Sequence, residues 1–185
     1  VFGALAHAGI AMHTVKDHVV FEQRELLTRT NTPYTVFTPY KRAWLAQVDE
    51  HRLRSHDVLP LIAALAPRPE GLRRDVPSLQ DIGFETTNLH QLRMAPGARG
   101  GQALFADFFE RMDQYHATRD FPAVKGPSYL GVHLRFGTVS IRRLAAAALQ
   151  ASIAGSAGAS VWLGELIWRE FYFQILANFP HVVQS

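Results

Sequence analysis

The sequence predicts an α/β segment followed by an all-α segment. It divides into the end of a parallel α/β domain over residues 1–53, a long linker over 54–100, and the opening helices of a helical domain over 101–185. Three observations carry this division. Short β-branched runs follow a small helix at the start, prolines and glycines crowd the middle, and a helical apolar period runs through the rest.

Val1 to Ala8 is Ala-rich and apolar, with Gly9 placed to end a short helix. Ile10–His13 and Asp17–Phe21 read as strands, and helix, strand, strand is the pattern that closes a parallel α/β domain. Thr38 and Pro39 suit the N-cap and first position of a helix over Tyr40–Leu53. Pro60, Pro67, Pro69, Pro77 and Pro96 then interrupt the chain, with glycines between them, as in an irregular connector. Its Arg68, Arg73 and Arg74 suit either a phosphate contact or a solvated surface. Beyond Gly101, Leu104, Phe108, Met112 and Tyr115 recur at helical spacing and predict one buried stripe. Ser140 caps a helix to about Ile153, which Gly155 and Gly158 end, and Ser160 caps the longest helix, Val161 to about Asn178, before Pro180.

Composition bounds the function. Apolar residues make up 48%, enough for a sizeable core, and twelve Phe with three Trp suit either core packing or the stacking of a flat ligand. The net charge of +3 is compatible with a polyanionic partner without demanding one. The absence of cysteine excludes disulfides, thiolate catalysis and Cys-bound metal. Nine histidines include His7 with His13, His51 with His56 and His116 with His133, none at the spacing of a zinc motif, so no metal is expected. No apolar run has the length of a membrane span, and a soluble cytoplasmic protein without an obligate protein partner is expected. The chain starts at Val1 and stops just after a long aromatic helix, so both ends read as cut from something longer.

Two segments carry the chemistry. In Val161-Trp-Leu-Gly-Glu-Leu-Ile-Trp-Arg-Glu-Phe-Tyr172, helical spacing puts Trp162, Glu165 and Arg169 on one face, with Trp168 flanking it. Indoles that stack, a guanidinium for phosphate and a carboxylate for a ring amide suit a flat, anionic, hydrogen-bonding ligand. The same spacing also fits an ordinary amphipathic helix with an internal Glu165–Arg169 ion pair. In Arg119 to Gly137, Gly126-Pro127-Ser128 turns into a helical stretch that Ser128 can cap, and exposed amides at a helix start can seat phosphate. An ordinary loop-to-helix transition reads the same way, because neither a Walker ending nor a dinucleotide glycine triplet is present.

Three stretches, in order, resemble the photolyase/cryptochrome family, closest to its class I cyclobutane pyrimidine dimer branch. Val15–Phe21 with Thr32–Trp44 looks like the end of the family's antenna domain, Arg119–Gly137 its entry to the flavin pocket, and Trp162–Tyr172 its most recognisable helix. The resemblance implies a Rossmann-like antenna domain before the linker and an all-α FAD-binding domain after it. It implies FAD as cofactor, an antenna chromophore of folate or deazaflavin type, and UV-damaged DNA containing pyrimidine dimers as partner. It also implies light-driven electron transfer that splits the dimer, a carbon–carbon lyase reaction. The family's remaining parts lie outside this sequence, so the 185 residues alone are expected to be inactive or nearly so. A cryptochrome-type photoreceptor without repair activity is the alternative.

Carried over position by position, the resemblance gives Tyr115, the turn Pro127, Ser128, Tyr129, Leu130 and Gly131, and Trp162 with Arg169 to FAD. It gives Arg119 and Tyr172 to DNA, and Glu165 and Trp168 to the flipped dimer, the acid bonding a pyrimidine and the indole packing on it. Glu rather than Gln at 165 favours cyclobutane dimers over (6-4) lesions. The family's frequent Thr-Ser-Arg-Leu-Ser turn is Pro127-Ser-Tyr-Leu-Gly131 here, which removes two hydroxyls and a cation from the phosphate seat.

Overall fold

A computed structural model describes residues 1–72, 75–92 and 94–184; Arg73 and Arg74, suggested above as phosphate contacts, lie outside the described residues. The helices are α1 (Phe2–His7), α2 (Phe37–Gln47), α3 (Glu50–Leu53), α4 (Gly97–Phe109), α5 (Tyr115–Thr118), α6 (Gly131–Arg135), α7 (Ile141–Ile153) and α8 (Ala157–Asn178). Between α3 and α4 the described residues form only short 3₁₀ turns, at Leu59–Ala64, Glu70–Leu72, Gln80–Ile82 and Leu89–Leu92. α8 is the central post, packing against α7, α5 and α2, with α3 resting on α7 and α6 on α4. Phe108, Leu130, Leu144, Ala148 and Ile167 fill the core between them. No helix of the described residues is long and apolar enough to cross a membrane.

The expected strands at Ile10–His13 and Asp17–Phe21 do not form, and the described residues contain no strand. The Rossmann-like α/β part is therefore not seen in this chain. The physical reason lies in the hydrogen bonding of residues 17–21. A strand must exchange its backbone groups with a neighbouring strand, whereas here helix side chains take them. Val20 and Phe21 N–H donate to the Glu170 carboxylate at 2.5 and 3.1 Å. The carbonyls of Asp17 and Val19 accept from Arg142, that of His18 from Arg169, and that of Phe21 from Gln174. The segment bends at His18, Val20 and Phe21 and is held by α7 and α8 rather than by a sheet.

Helix boundaries shift for local reasons. α2 starts at Phe37 and stops at Gln47 because Val48 is extended and Asp49 starts a new turn, accepting from Arg52 N–H at 2.7 Å. The apolar stripe through Phe108, Met112 and Tyr115 is buried as expected, yet its helix breaks after Phe109. At the break, Arg111 turns away to bind the carbonyls of Lys125, Gly126 and Pro127. Ser140 caps α7 by accepting from Arg143 N–H. Ser156, not Ser160, caps α8, and Gly155 ahead of it takes φ +99°, a conformation that suits glycine. Gly158 does not end a helix: it lies in the first turn of α8, where a Cβ would come within 2.0 Å of the Met112 carbonyl oxygen. Residues 54–99 are exposed wherever their burial is described.

Candidate functional site

α8 presents Glu165, Trp168 and Tyr172 along one stripe, at spacings of three and four. Glu165 is paired across helices rather than along its own: Arg119, just beyond α5, donates to its carboxylate at 2.5 Å. The Glu165–Arg169 pair that spacing allows does not form among the described residues. Both partners of the Arg119–Glu165 pair keep about a third of their side-chain surface in solvent. The bond raises the basicity of Arg119. Arg119 also lies over the Tyr115 ring, 5.5 Å from its centre, and burial pushes the Tyr115 hydroxyl up. Tyr115, Arg119 and Glu165 thus form one cluster.

Trp168 continues the face. Phe37, at the start of α2, stacks on it at 3.6 Å and 10°, and Tyr172 stacks at 5.5 Å. Tyr172 itself is more than half exposed. Phe37 had no signal of its own in the sequence, since its role depends on how α2 crosses α8. The result is an aromatic ledge beside a charge-paired carboxylate, open to solvent.

The remaining expected residues separate. Trp162 is 3% exposed and packs against Phe105 and Phe108, and Leu130 is fully buried, so both are core residues here. Arg169 spends its donors on the His18 and Leu134 carbonyls and the His18 ring and lies over Phe173, and burial lowers its basicity. It still borders a hollow of about 270 Å³ with His18, Gly131, Arg135 and Phe173. The turn into α6 is held from below by Arg111, which reaches the Pro127 carbonyl at 2.9 Å and pairs with Asp107. Tyr129 takes φ +57° and is half exposed. Ser128 does not cap α6: its hydroxyl accepts from Leu130 N–H at 3.4 Å, and the helix begins at Gly131 without a side-chain cap.

Glu170 is the residue that sequence reasoning passed over. It is 1% exposed and accepts from four donors: the Val20 and Phe21 amides, the Trp44 indole at 2.9 Å and the Tyr40 hydroxyl at 3.2 Å. Burial pushes its carboxyl up, with the four donors working against burial, and burial also pushes the Tyr40 hydroxyl up. The available signal was a carboxylate on the apolar stripe of Leu163, Ile167 and Phe171. A charge at such a position needs several partners.

α8 thus bears an aromatic ledge and a cross-paired carboxylate, and an arginine-lined hollow lies between it and α6. The family model described as DNA photolyase matches residues 1–67. A deoxyribodipyrimidine photo-lyase of Vibrio cholerae is 32% identical over 98% of this chain and 38% of its own length. That of Escherichia coli is 33% identical over 89% of this chain and 34% of its own length. The crystal structure of a bacterial class III photolyase from Agrobacterium tumefaciens superposes with a TM-score of 0.79, at 25% identity, over 97% of this chain and 37% of that one. The chain is thus similar to DNA photolyases, through the family model over residues 1–67 and through curated relatives along most of its length. It spans 34–38% of the length of the curated relatives just described.

Proposed function

We propose that this chain is part of a light-driven DNA repair enzyme that splits cyclobutane pyrimidine dimers, with Glu165 and Trp168 facing the lesion. The observation that carries the reading is the Arg119–Glu165 pair set next to the Trp168 ledge on a solvent-open face of α8. A base turned out of a duplex needs an aromatic surface to replace its lost stacking and a polar group to read its edge. Trp168, backed by Phe37, offers the surface. Glu165 offers the acceptor, and the Arg119 pair holds it in place. Arg119 and Tyr172 lie where neighbouring nucleotides would run, Arg119 meeting phosphate and Tyr172 extending the stack.

The hollow beside α6 fits the phosphates of FAD by charge: Arg135 and Arg169 border it with Gly131, the Arg169 NH groups being engaged with His18 and Leu134, and the turn 127–131 leads into it. Pro127, Ser128 and Tyr129 would shape that turn, and Tyr115 lies under Arg119 on the same side of α8 as Glu165. Trp162 and Leu130 are buried here, Trp162 against Phe105 and Phe108, and their part in the pocket rests on the resemblance alone. Reduced FAD, once bound, supplies the light-excited electron that opens the dimer. The chain's own part is to hold the lesion against Trp168, to exclude water there, and to stabilise charge on the pyrimidine through Glu165. An antenna chromophore belongs to the family pattern, and no residue of this chain is assigned to it. The curated relatives are more than twice as long, so little or no repair is expected from the 185 residues alone.

The test is an exchange in which this chain replaces the matched stretch of the Vibrio cholerae enzyme. A yellow, flavin-retaining chimaera that removes dimers from an oligonucleotide under blue light is the expected result. A chimaera that retains flavin and binds DNA yet leaves dimers intact overturns the repair reading in favour of a photoreceptor.

A further inference from the structure

A second cavity, of about 830 Å³, shares no lining residue with the α8 face or with the hollow beside α6. Its wall comes from Val15 and Lys16, from α3 and the residues after it, and from the start of α7. Four cations line it, Lys16, Arg52, Arg54 and Arg142, against two carboxylates, Glu25 and Asp49, and His51 and His56 add ring nitrogens. That leaves an excess of two positive charges with the histidines neutral.

The cations are only partly satisfied by the protein. Lys16 is paired with Glu25. Arg52 approaches Glu25 and Asp49 only at 3.6 and 4.0 Å, and its Nε is shielded from solvent without a hydrogen-bond partner. Arg142 bonds backbone carbonyls and meets no carboxylate among the described residues. The Arg54 side chain has no polar partner among the described residues and is exposed. Ser140 adds the amino end of the 13-residue α7, whose first amides point positive. The Arg54 guanidinium, unpartnered among the described residues, with three further cations lining one concavity, describes an anion site, and the volume falls within the roughly 300–1,000 Å³ of small-molecule sites. Glu25 and Asp49 interrupt the basic wall, which suits a compact anion better than a long polyanion needing a continuous stripe.

We propose that this cavity binds a small phosphorylated ligand, with Arg52, Arg54 and Arg142 as its cationic contacts. The probe is inorganic pyrophosphate, titrated into the full chain by calorimetry at low and moderate salt. Saturable binding is expected, weakened about tenfold or more by Arg54→Glu and kept by Arg54→Lys. The Arg54 side chain makes no hydrogen bond or ion pair among the described residues and is exposed, so the thermal melt of each Arg54 variant should match that of the parent. Absence of saturable binding, equal affinity in Arg54→Glu, or loss in Arg135→Ala alone overturns the proposal. So does a short DNA duplex that binds more tightly than pyrophosphate and displaces it, since the surface would then serve DNA.

Discussion

At the scale of the residue, Glu170 decides more of this structure than any group in the candidate site. One carboxylate answers four buried donors drawn from two segments, residues 20–21 and α2. Glu170→Ala would leave two amides, an indole N–H and a phenol without partners. The expected loss of unfolding free energy, read by urea denaturation, is about 3–5 kcal/mol; a loss under about 1 kcal/mol contradicts the role. The pH dependence follows from the direction of the shift. Burial raises the folded carboxyl above its ordinary 4.5, so the folded state binds the proton more readily. The stability tied to that proton is present below pH 4.5 and is lost as pH rises through the raised value. Glu25, Asp81 and Asp107 are shifted downward and act in the opposite sense. The quantity to measure is therefore the difference between parent and Glu170→Ala, which should shrink as pH rises above 4.5.

At the scale of the element, the helices of the second half were legible because each carried its own signals. Ser140 and Ile153 bound α7 as read, and Asn178 ends α8 ahead of Pro180. Where two serines competed to start α8, tertiary packing chose Ser156, because Gly158 lets the first turn lie against the Met112 carbonyl. Gly158→Ala would push that turn away from residues 112–113 and cost about 1–3 kcal/mol, read from thermal or urea unfolding. A parent-like variant would mean that the close approach is not needed. The first half was less legible. β-branched runs at residues 10–13 and 17–21 have strand propensity, but propensity cannot say what will accept the hydrogen bonds. For residues 17–21 the answer was Glu170, Arg142, Arg169 and Gln174, residues more than a hundred positions away in sequence.

At the scale of the whole molecule, the order of the motifs pointed to the family, and the fold sorts the residues they named. Tyr115, Arg119 and Glu165 converge, Trp168 and Tyr172 share a ledge, and Gly131 meets Arg169 at a hollow. Trp162 falls into the core, which helical spacing alone could not reveal, because the position of α4 decides what covers it. Phe37 entered the ledge from 131 residues away in sequence, for the same reason. The central claim is that the ledge and the Arg119–Glu165 pair form a lesion-reading face. It is tested most directly in the Vibrio cholerae chimaera, by comparing affinity for a duplex carrying one cyclobutane dimer with affinity for the undamaged duplex. The account predicts a clear preference for the dimer that Trp168→Ala reduces by about 1–3 kcal/mol, the usual contribution of one stacked base, while affinity for undamaged DNA stays near the parent value. Equal affinity for both duplexes in the parent, or an undiminished preference in Trp168→Ala, would contradict it.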